Sequence, residues 1–252
     1  MLLTNDDGFE SPGLARMLAR LEDCFDVLVA APHEQRSGIG HAVTLRSPIA
    51  ARPAEFGRSR GFVIEGTPAD CVKLALTHLF ADTPPDMVVS GINSGPNVGR
   101  NVLYSGTVAA ALEAVVNGIP AVSVSMDIGA SFDFDLAADL AMPIIRAAAS
   151  RGLPPGAALN VNIPNRPRGE ILGVRLVRQG TAGFREYYVE QPPDEAGRRR
   201  FLIQGDMEQD KDGPDTDSVA LAQGYIAVSA LGLRLNDGRA MDIIGSWPEL
   251  KR

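Results

Sequence analysis

The sequence is poor in cysteine, has no long apolar run and carries no surplus of positive charge, and each shortage removes a class of protein. Only Cys24 and Cys71 occur among the 252 residues, so the paired-cysteine spacing of a structural zinc site is excluded. Both fall in or at the end of helical patterns and are expected to be buried free thiols. No apolar run approaches the ~18–20 residues that span a bilayer. Polar residues follow Met1-Leu2-Leu3 at once, so no signal-peptide core is expected. A reduced, cytoplasmic protein is the resulting expectation. The formal net charge of −7 argues against a nucleic-acid polymer or an anionic membrane as partner. A dinucleotide-type Gly-x-Gly-x-x-Gly and a phosphate-loop Gly-Lys-Ser/Thr are both missing, which speaks against nucleoside triphosphate hydrolysis of that kind.

What is present is an alternation of short apolar runs and helical patterns. Residues 1–3 and 27–31 read as strands, the second apolar on both faces as a covered strand requires. Between them Ser11-Pro12 opens a helix, with Ser as cap and Pro at the first position, and Leu14, Met17, Leu18 and Leu21 recur at helical spacing. Thr67-Pro68-Ala69-Asp70 has the form of a capping box and starts a second helix after a strand at 62–64. Strands at 87–89 and 121–124 flank a helix over 107–116 that stops at Asn117-Gly118, and a further helix covers 135–149. Strand–helix alternation predicts an α/β fold with a doubly wound, mostly parallel, Rossmann-like sheet. After Leu153-Pro154-Pro155-Gly156 the pattern changes to strands, at 159–163, 172–177, 187–189, 201–203 and 225–228. Residues 1–150 are therefore expected to form the core with the active site. Residues 151–252 are expected to add a strand-rich C-terminal extension of the same domain, with a hairpin arm at 184–205.

Four polar clusters sit where ligands bind in such folds, beyond the carboxyl ends of parallel strands. They are Thr4-Asn5-Asp6-Asp7-Gly8, Pro32-His33-Glu34-Gln35-Arg36-Ser37-Gly38, Ser90-Gly91-Ile92-Asn93-Ser94-Gly95 and Tyr104-Ser105-Gly106-Thr107. Adjacent Asp6 and Asp7 repel, and one is forced toward its protonated form unless a cation intervenes. A hard divalent cation resolves the conflict, with the Ser37 hydroxyl and the Asn93 carbonyl as suitable neutral oxygen ligands. Ser105-Gly106-Thr107 at a helix start offers backbone N–H groups and the positive end of a helix dipole to a phosphate. Asn5 either orients the first loop or touches phosphate.

These motifs, with Gly66-Thr67-Pro68-Ala69-Asp70-Cys71-Val72, Asn160-Val161-Asn162-Ile163-Pro164 and Gly213-Pro214-Asp215-Thr216-Asp217, closely resemble the stationary-phase survival protein SurE family. The similarity runs from Leu3 to about Leu231 with matching order and spacing. It implies a 5′/3′-nucleotidase with broad phosphomonoester tolerance that uses magnesium or manganese. It implies one metal ion on Asp6, Asp7, Ser37 and Asn93, and phosphate contacts from Ser105, Gly106 and Thr107. It also implies a homodimer or homotetramer built through extended C-terminal segments.

The expected reaction is removal of phosphate from nucleoside 5′- and 3′-monophosphates by metal-bound water, with Asp7 or Asp6 orienting or deprotonating that water. His41 is either the donor to the leaving oxygen or a hydrogen-bonded structural residue. Two rivals remain at this level. A phospho-aspartate phosphatase needs Asp-x-Asp rather than adjacent acids, and a nucleotide-sensing module has no need of two adjacent acids.

Overall fold

The computed structural model describes residues 1–208 and 213–250, so residues 209–212 and 251–252 of the expected extension lie outside the described residues. Its elements run β1 (Leu2–Thr4), α1 (Pro12–Leu21), β2 (Leu28–Pro32), β3 (Ala51–Phe56), β4 (Ser59–Ile64) and α2 (Pro68–Leu74). There follow β5 (Val88–Ser94), α3 (Gly106–Val116), β6 (Ala121–Met126), α4 (Phe134–Arg151), β7 (Ala157–Ile163) and β8 (Val174–Leu176). The chain closes with β9 (Phe184–Gln191), β10 (Arg200–Met207), α5 (Asp217–Ala222), β11 (Ile226–Gly232) and α6 (Gly238–Gly245).

Nine strands form one sheet in the order β3-β4-β2-β1-β5-β6-β7-β11-β8. The six from β4 to β7 are mutually parallel, while β3 and β11 run antiparallel to their neighbours β4 and β7. The expected doubly wound α/β fold is what the chain adopts. Alternation along the first strand shows how the layers are made: Leu3 joins α1 and α4 in one apolar layer, and Leu2 joins α2 and α3 in the other. From β1 the chain winds outward through β2 and β4, then returns to the opposite side of β1 as β5. The switch of winding direction therefore falls between β1 and β5, and a crevice opens there at the carboxyl edge.

Local chemistry explains the helix starts. The Ser11 hydroxyl accepts from the Leu14 N–H with Pro12 next in line, and Thr67 and Asp70 form a reciprocal capping box. α1 lies close to the sheet because residue 13 is glycine, whose missing Cβ would sit 2.0 Å from the Ile92 carbonyl oxygen.

Several elements differ from the sequence expectation. β5 runs on to Ser94 instead of ending near residue 89, because a register shift against β6 between Ser90 and Asn93 lets polar residues continue the pairing. β3 was not foreseen, since Ala51-Arg52-Pro53-Ala54-Glu55 lacks the apolar alternation of a covered strand, and it pairs only at the sheet edge. The short α5 and the wholly exposed α6 were also missed. Cys71 is buried as expected, but Cys24 is exposed, because it lies beyond the last buried turn of α1. The arm is a separate two-stranded sheet in which Arg200 to Met207 pair with Gln191 to Phe184. No helix among the described residues is long and apolar enough to cross a membrane.

Gly13→Ala should force α1 away from β5 and cost about 1–3 kcal/mol in urea unfolding. Gly169→Ala, where a Cβ would meet nothing within 4 Å, should change stability by a small fraction of that.

Candidate active site

The turn after β1 brings the first two loops together. Gly8 takes a φ of +97° and lies against Glu34, with its absent Cβ 3.3 Å from that residue's carbonyl carbon. The Arg36 N–H donates to the Asp6 carbonyl at 2.7 Å, which ties the loop after β2 to the loop after β1. Asn5 orients the first loop, since its Nδ2 donates to the Gly8 carbonyl at 2.9 Å and to the Ser11 hydroxyl at 2.7 Å.

The two carboxylates then diverge. Asp6 is buried and accepts a hydrogen bond from the Thr107 hydroxyl, with the Thr107 and Asp6 N–H groups also directed at it. Burial pushes its carboxyl up to about 6; the Thr107 hydroxyl opposes that rise and the neighbouring Asp7 charge adds to it. Asp7 is half-buried, and its Oδ2 accepts from the Ser94 N–H at 3.1 Å and the Ser94 hydroxyl at 3.2 Å. Gln35 Nε2 lies 3.0 Å from the Ser37 hydroxyl and 3.4 Å from Asp7 Oδ1, the second a long contact. Asn93 donates its Nδ2 to the Gly95 carbonyl at 2.7 Å, which leaves its side-chain carbonyl oxygen for a ligand.

Asp7 is thus joined to Ser37 through Gln35 and to the end of β5 through Ser94, while the Asp6 backbone meets Arg36, so Asp6, Asp7, Ser37 and Asn93 lie on segments that meet at one edge of the sheet. The donor set suits a hard divalent cation: two carboxylates, one hydroxyl and one amide oxygen. A separate observation marks the same loops as a polar site. Among the described residues, five buried side-chain polar atoms lack a hydrogen-bond partner, and four belong to Thr4, Asn5, Arg36 and Ser90. Thr4 and Ser90 face each other across β1 and β5, and Asn5 and Arg36 are in the loops beyond. Buried polar groups are seldom left unsatisfied away from functional sites.

At the start of α3 two side chains are engaged within the protein. The Ser105 hydroxyl caps the helix by accepting from the Val108 N–H at 3.1 Å, and Thr107 serves Asp6. A Cβ on Gly106 would come within 2.8 Å of the Asp6 Cβ, so glycine is needed there for Asp6 to pack, whatever anion binds.

His41 is held by Glu113, with 2.9 Å between Nε2 and Oε2, while Lys73 Nζ reaches the other carboxylate oxygen at 2.6 Å. Burial alone would raise the Glu113 carboxyl, but its bonds to His41, Lys73 and Asn117 outweigh burial and hold it below the usual range. Of the two roles open to His41, the hydrogen-bonded structural one matches this geometry.

Sequence reasoning placed Gln35 and Ser94 in their clusters without a role, since their residue types carry no signal of their own, and it read Asp70 as the capping-box acid without its bonds to Thr44. That buried carboxylate accepts from the Thr44 N–H at 2.9 Å, the Thr44 hydroxyl at 2.7 Å and the Thr67 N–H at 3.0 Å. The Gly66–Val72 motif is therefore an anchor for the loop downstream of Ser37.

Fold and crevice together define a doubly wound α/β protein with an acidic, oxygen-rich site at its topological switch point. Residues 1–186 match the family described as survival protein SurE, and the chain belongs to that family. It is 42% identical over 248 residues to the 5′-nucleotidase SurE of Syntrophobacter fumaroxidans, covering 98% of each chain. Against the 5′-nucleotidase SurE of Desulforamulus reducens the identity is 38% over 251 residues, again with 98% of both chains covered. The crystal structure of the SurE protein from Aquifex aeolicus superposes with a TM-score of 0.82 at 34% identity, over 97% of both chains.

The buried Asp6 yields a pH signature in the metal-free protein. Because its folded pKa lies above the ordinary 3.8, its contribution to stability is complete below about pH 4 and is lost as the pH rises through about 6. Asp6→Asn should therefore exceed the chelated parent in stability at pH 7.5 by on the order of 1–3 kcal/mol. The difference should close toward pH 4 in parallel urea titrations, and saturating manganese should raise the stability of the parent only.

Proposed function

We propose that this chain is a 5′-nucleotidase: a divalent-metal-dependent phosphohydrolase that cleaves nucleoside 5′-monophosphates, and 3′-monophosphates by the same chemistry. The observation that carries the reading is the pair of adjacent acids at the β1/β5 switch point, with Asp7 accepting from Ser94 and joined to Ser37 through Gln35. Two adjacent acids are a liability for stability, and they are useful where a cation must be held against a phosphate.

Asp6, Asp7, Ser37 and Asn93 would hold one magnesium or manganese ion. When bound, such an ion neutralises charge on the phosphoryl oxygens and acidifies a water. Asp6 is buried against Thr107 whereas Asp7 is only half-buried, so Asp7 is the carboxylate better suited to orient the attacking water and take its proton. Water oxygen bonds to phosphorus as the bond to the ribose oxygen breaks, and the leaving alkoxide takes a proton from solvent to become the nucleoside hydroxyl while Asp7 returns its proton to solvent. Ser105, Gly106 and Thr107 set the positive end of α3 beside the transferring group, where it favours the equatorial oxygens. Asn5 holds the first loop in register with both. A cytoplasmic location belongs to the same reading.

Assembly is part of the same reading. The β9–β10 arm exposes Tyr187, Tyr188, Phe201, Leu202 and Ile203, and α6 exposes Met241, Ile243 and Ile244. Two-stranded sheets are marginal alone, and an exposed apolar edge of this kind suits a symmetric partner. A homodimer or homotetramer of one domain follows, with residues 1–150 carrying the chemistry and 151–252 the contacts.

Exhaustive chelation should abolish release of phosphate from adenosine 5′-monophosphate, and added manganese or magnesium should restore it. Asp7→Asn should lower kcat by at least about a hundredfold while urea unfolding shifts little. Turnover by the metal-free enzyme would overturn the mechanism, and nucleotide binding without turnover by the metal-loaded parent would favour a sensor. Sedimentation should give a dimer or tetramer at micromolar concentration. Deleting residues 187–204 should lower the assembly state, and an unchanged oligomer would remove the arm from the interface.

A further inference from the structure

A large cavity opens past the loop that follows β5, and Asp6 and Asp7 are not in its walls. It measures about 680 Å³, within the ~300–1,000 Å³ of small-molecule sites, and its walls include Pro96, Val98, Asp127, Ile128, Phe184 and Val219. It lies on the carboxyl edge of the sheet, because Pro96 follows β5 and Asp127 and Ile128 follow β6. One short segment serves both places. Ser94 bonds the Asp7 carboxylate, while Gly95 donates to the Met126 carbonyl at 2.9 Å and a Cβ there would lie 3.9 Å from Ile128. Ser94 and Pro96 are two residues apart, at most about 7 Å of backbone, a span that a ribose bridges between phosphate and base. A second cavity, about 420 Å³ and lined in part by Ser105, runs along α3 to Leu231 and Gly232. Because β11 is antiparallel to β7, those residues are at the opposite edge.

We propose that the larger cavity is the nucleoside subsite of this enzyme, taking the base against Ile128 and Phe184 and the ribose hydroxyls on Asp127. The assignment rests on the nucleotidase reading and adds where selectivity for a nucleoside arises.

The chemistry of the walls matches each part of the ligand. Ile128 and Phe184 are large apolar side chains left 58% and 40% exposed at the mouth, a surface a flat base would cover. Asp127 is fixed in place: its N–H donates to the Ile163 carbonyl at 2.8 Å, and its Oδ1 accepts from the Ile128 N–H at 2.8 Å. Its Oδ2 is left as an acceptor, and ribose hydroxyls are donors that carboxylates in other doubly wound folds recognise in this way. Glu208, on the far wall, is drawn off by Arg100 at 3.1 Å, and Asp206 adds a second acceptor for an exocyclic amine.

The test compares adenosine 5′-monophosphate, its 2′-deoxy form and glycerol 2-phosphate on the manganese-loaded, full-length enzyme. Ile128→Asp should raise KM for adenosine monophosphate about tenfold and leave kcat/KM for glycerol 2-phosphate unchanged. Asp127→Asn should reduce kcat/KM for the ribonucleotide about tenfold, toward that of the deoxynucleotide, again sparing glycerol 2-phosphate. Calorimetric binding of adenosine monophosphate to parent and variants reads the subsite independently of turnover. A parent that binds the nucleotide without cleaving it refutes the nucleotidase reading alone. Equal losses on all three substrates, no loss on the nucleotide, or a parent with no preference for nucleotide over glycerol 2-phosphate would overturn the subsite.

Discussion

Two neighbouring carboxylates that cannot both be comfortable in the folded chain set the terms for everything around them. Asp6 is buried, and burial together with the Asp7 charge penalises its ionised form. The chain meets that penalty from several directions. Thr107 bonds the carboxylate from the start of α3, Gly106 gives it room, and the Arg36 N–H holds its backbone. Gln35 and Ser94 draw Ser37 and the end of β5 toward Asp7. A cation would complete the compensation, and the same charge that stabilises the acids would serve a phosphate.

The rest of the fold keeps these contacts in place. β1 and β5 are central, and the layers that hold them take Leu3 on one face and Leu2 on the other. Gly13 lets α1 close on Ile92, the residue before Asn93, so packing and site geometry share a contact. A buried amide network continues the support. Asn160 and Asn162 both donate to the Asn97 carbonyl, at 2.8 and 3.1 Å, and Asn97 Nδ2 donates to the Ser125 hydroxyl at 2.8 Å. That network holds the segment after β5, which lies between the carboxylates and the large cavity. Satisfied buried networks of this kind specify one arrangement of a loop.

Much of this was legible because local rules and global winding agree. Ser11-Pro12 and Thr67-Pro68-Ala69-Asp70 announced their helices, and the apolar runs announced the buried strands, since period and capping act within a few residues. What escaped was non-local. β3 has an ordinary composition and exists because β4 offers it an edge. The length of β5 depends on a bulge that no residue type marks. His41 stands four residues from Ser37 in sequence, yet its partner is Glu113, which only the packing of α3 could bring there.

By itself the sequence determined the class of fold, the four polar clusters and the identity of the acids, because those follow from strand order and residue chemistry. Tertiary structure alone decided how the acids differ, with Asp6 turned into the protein toward Thr107 and Asp7 left toward the crevice. It alone showed that the start of α3 serves Asp6, that the Gly66–Val72 motif anchors a loop, and that a cavity opens beyond Gly95. The physical reason is common to all of these. Burial, charge compensation and enclosed volume are properties of groups meeting from distant parts of the chain, and no local pattern records who the neighbours will be.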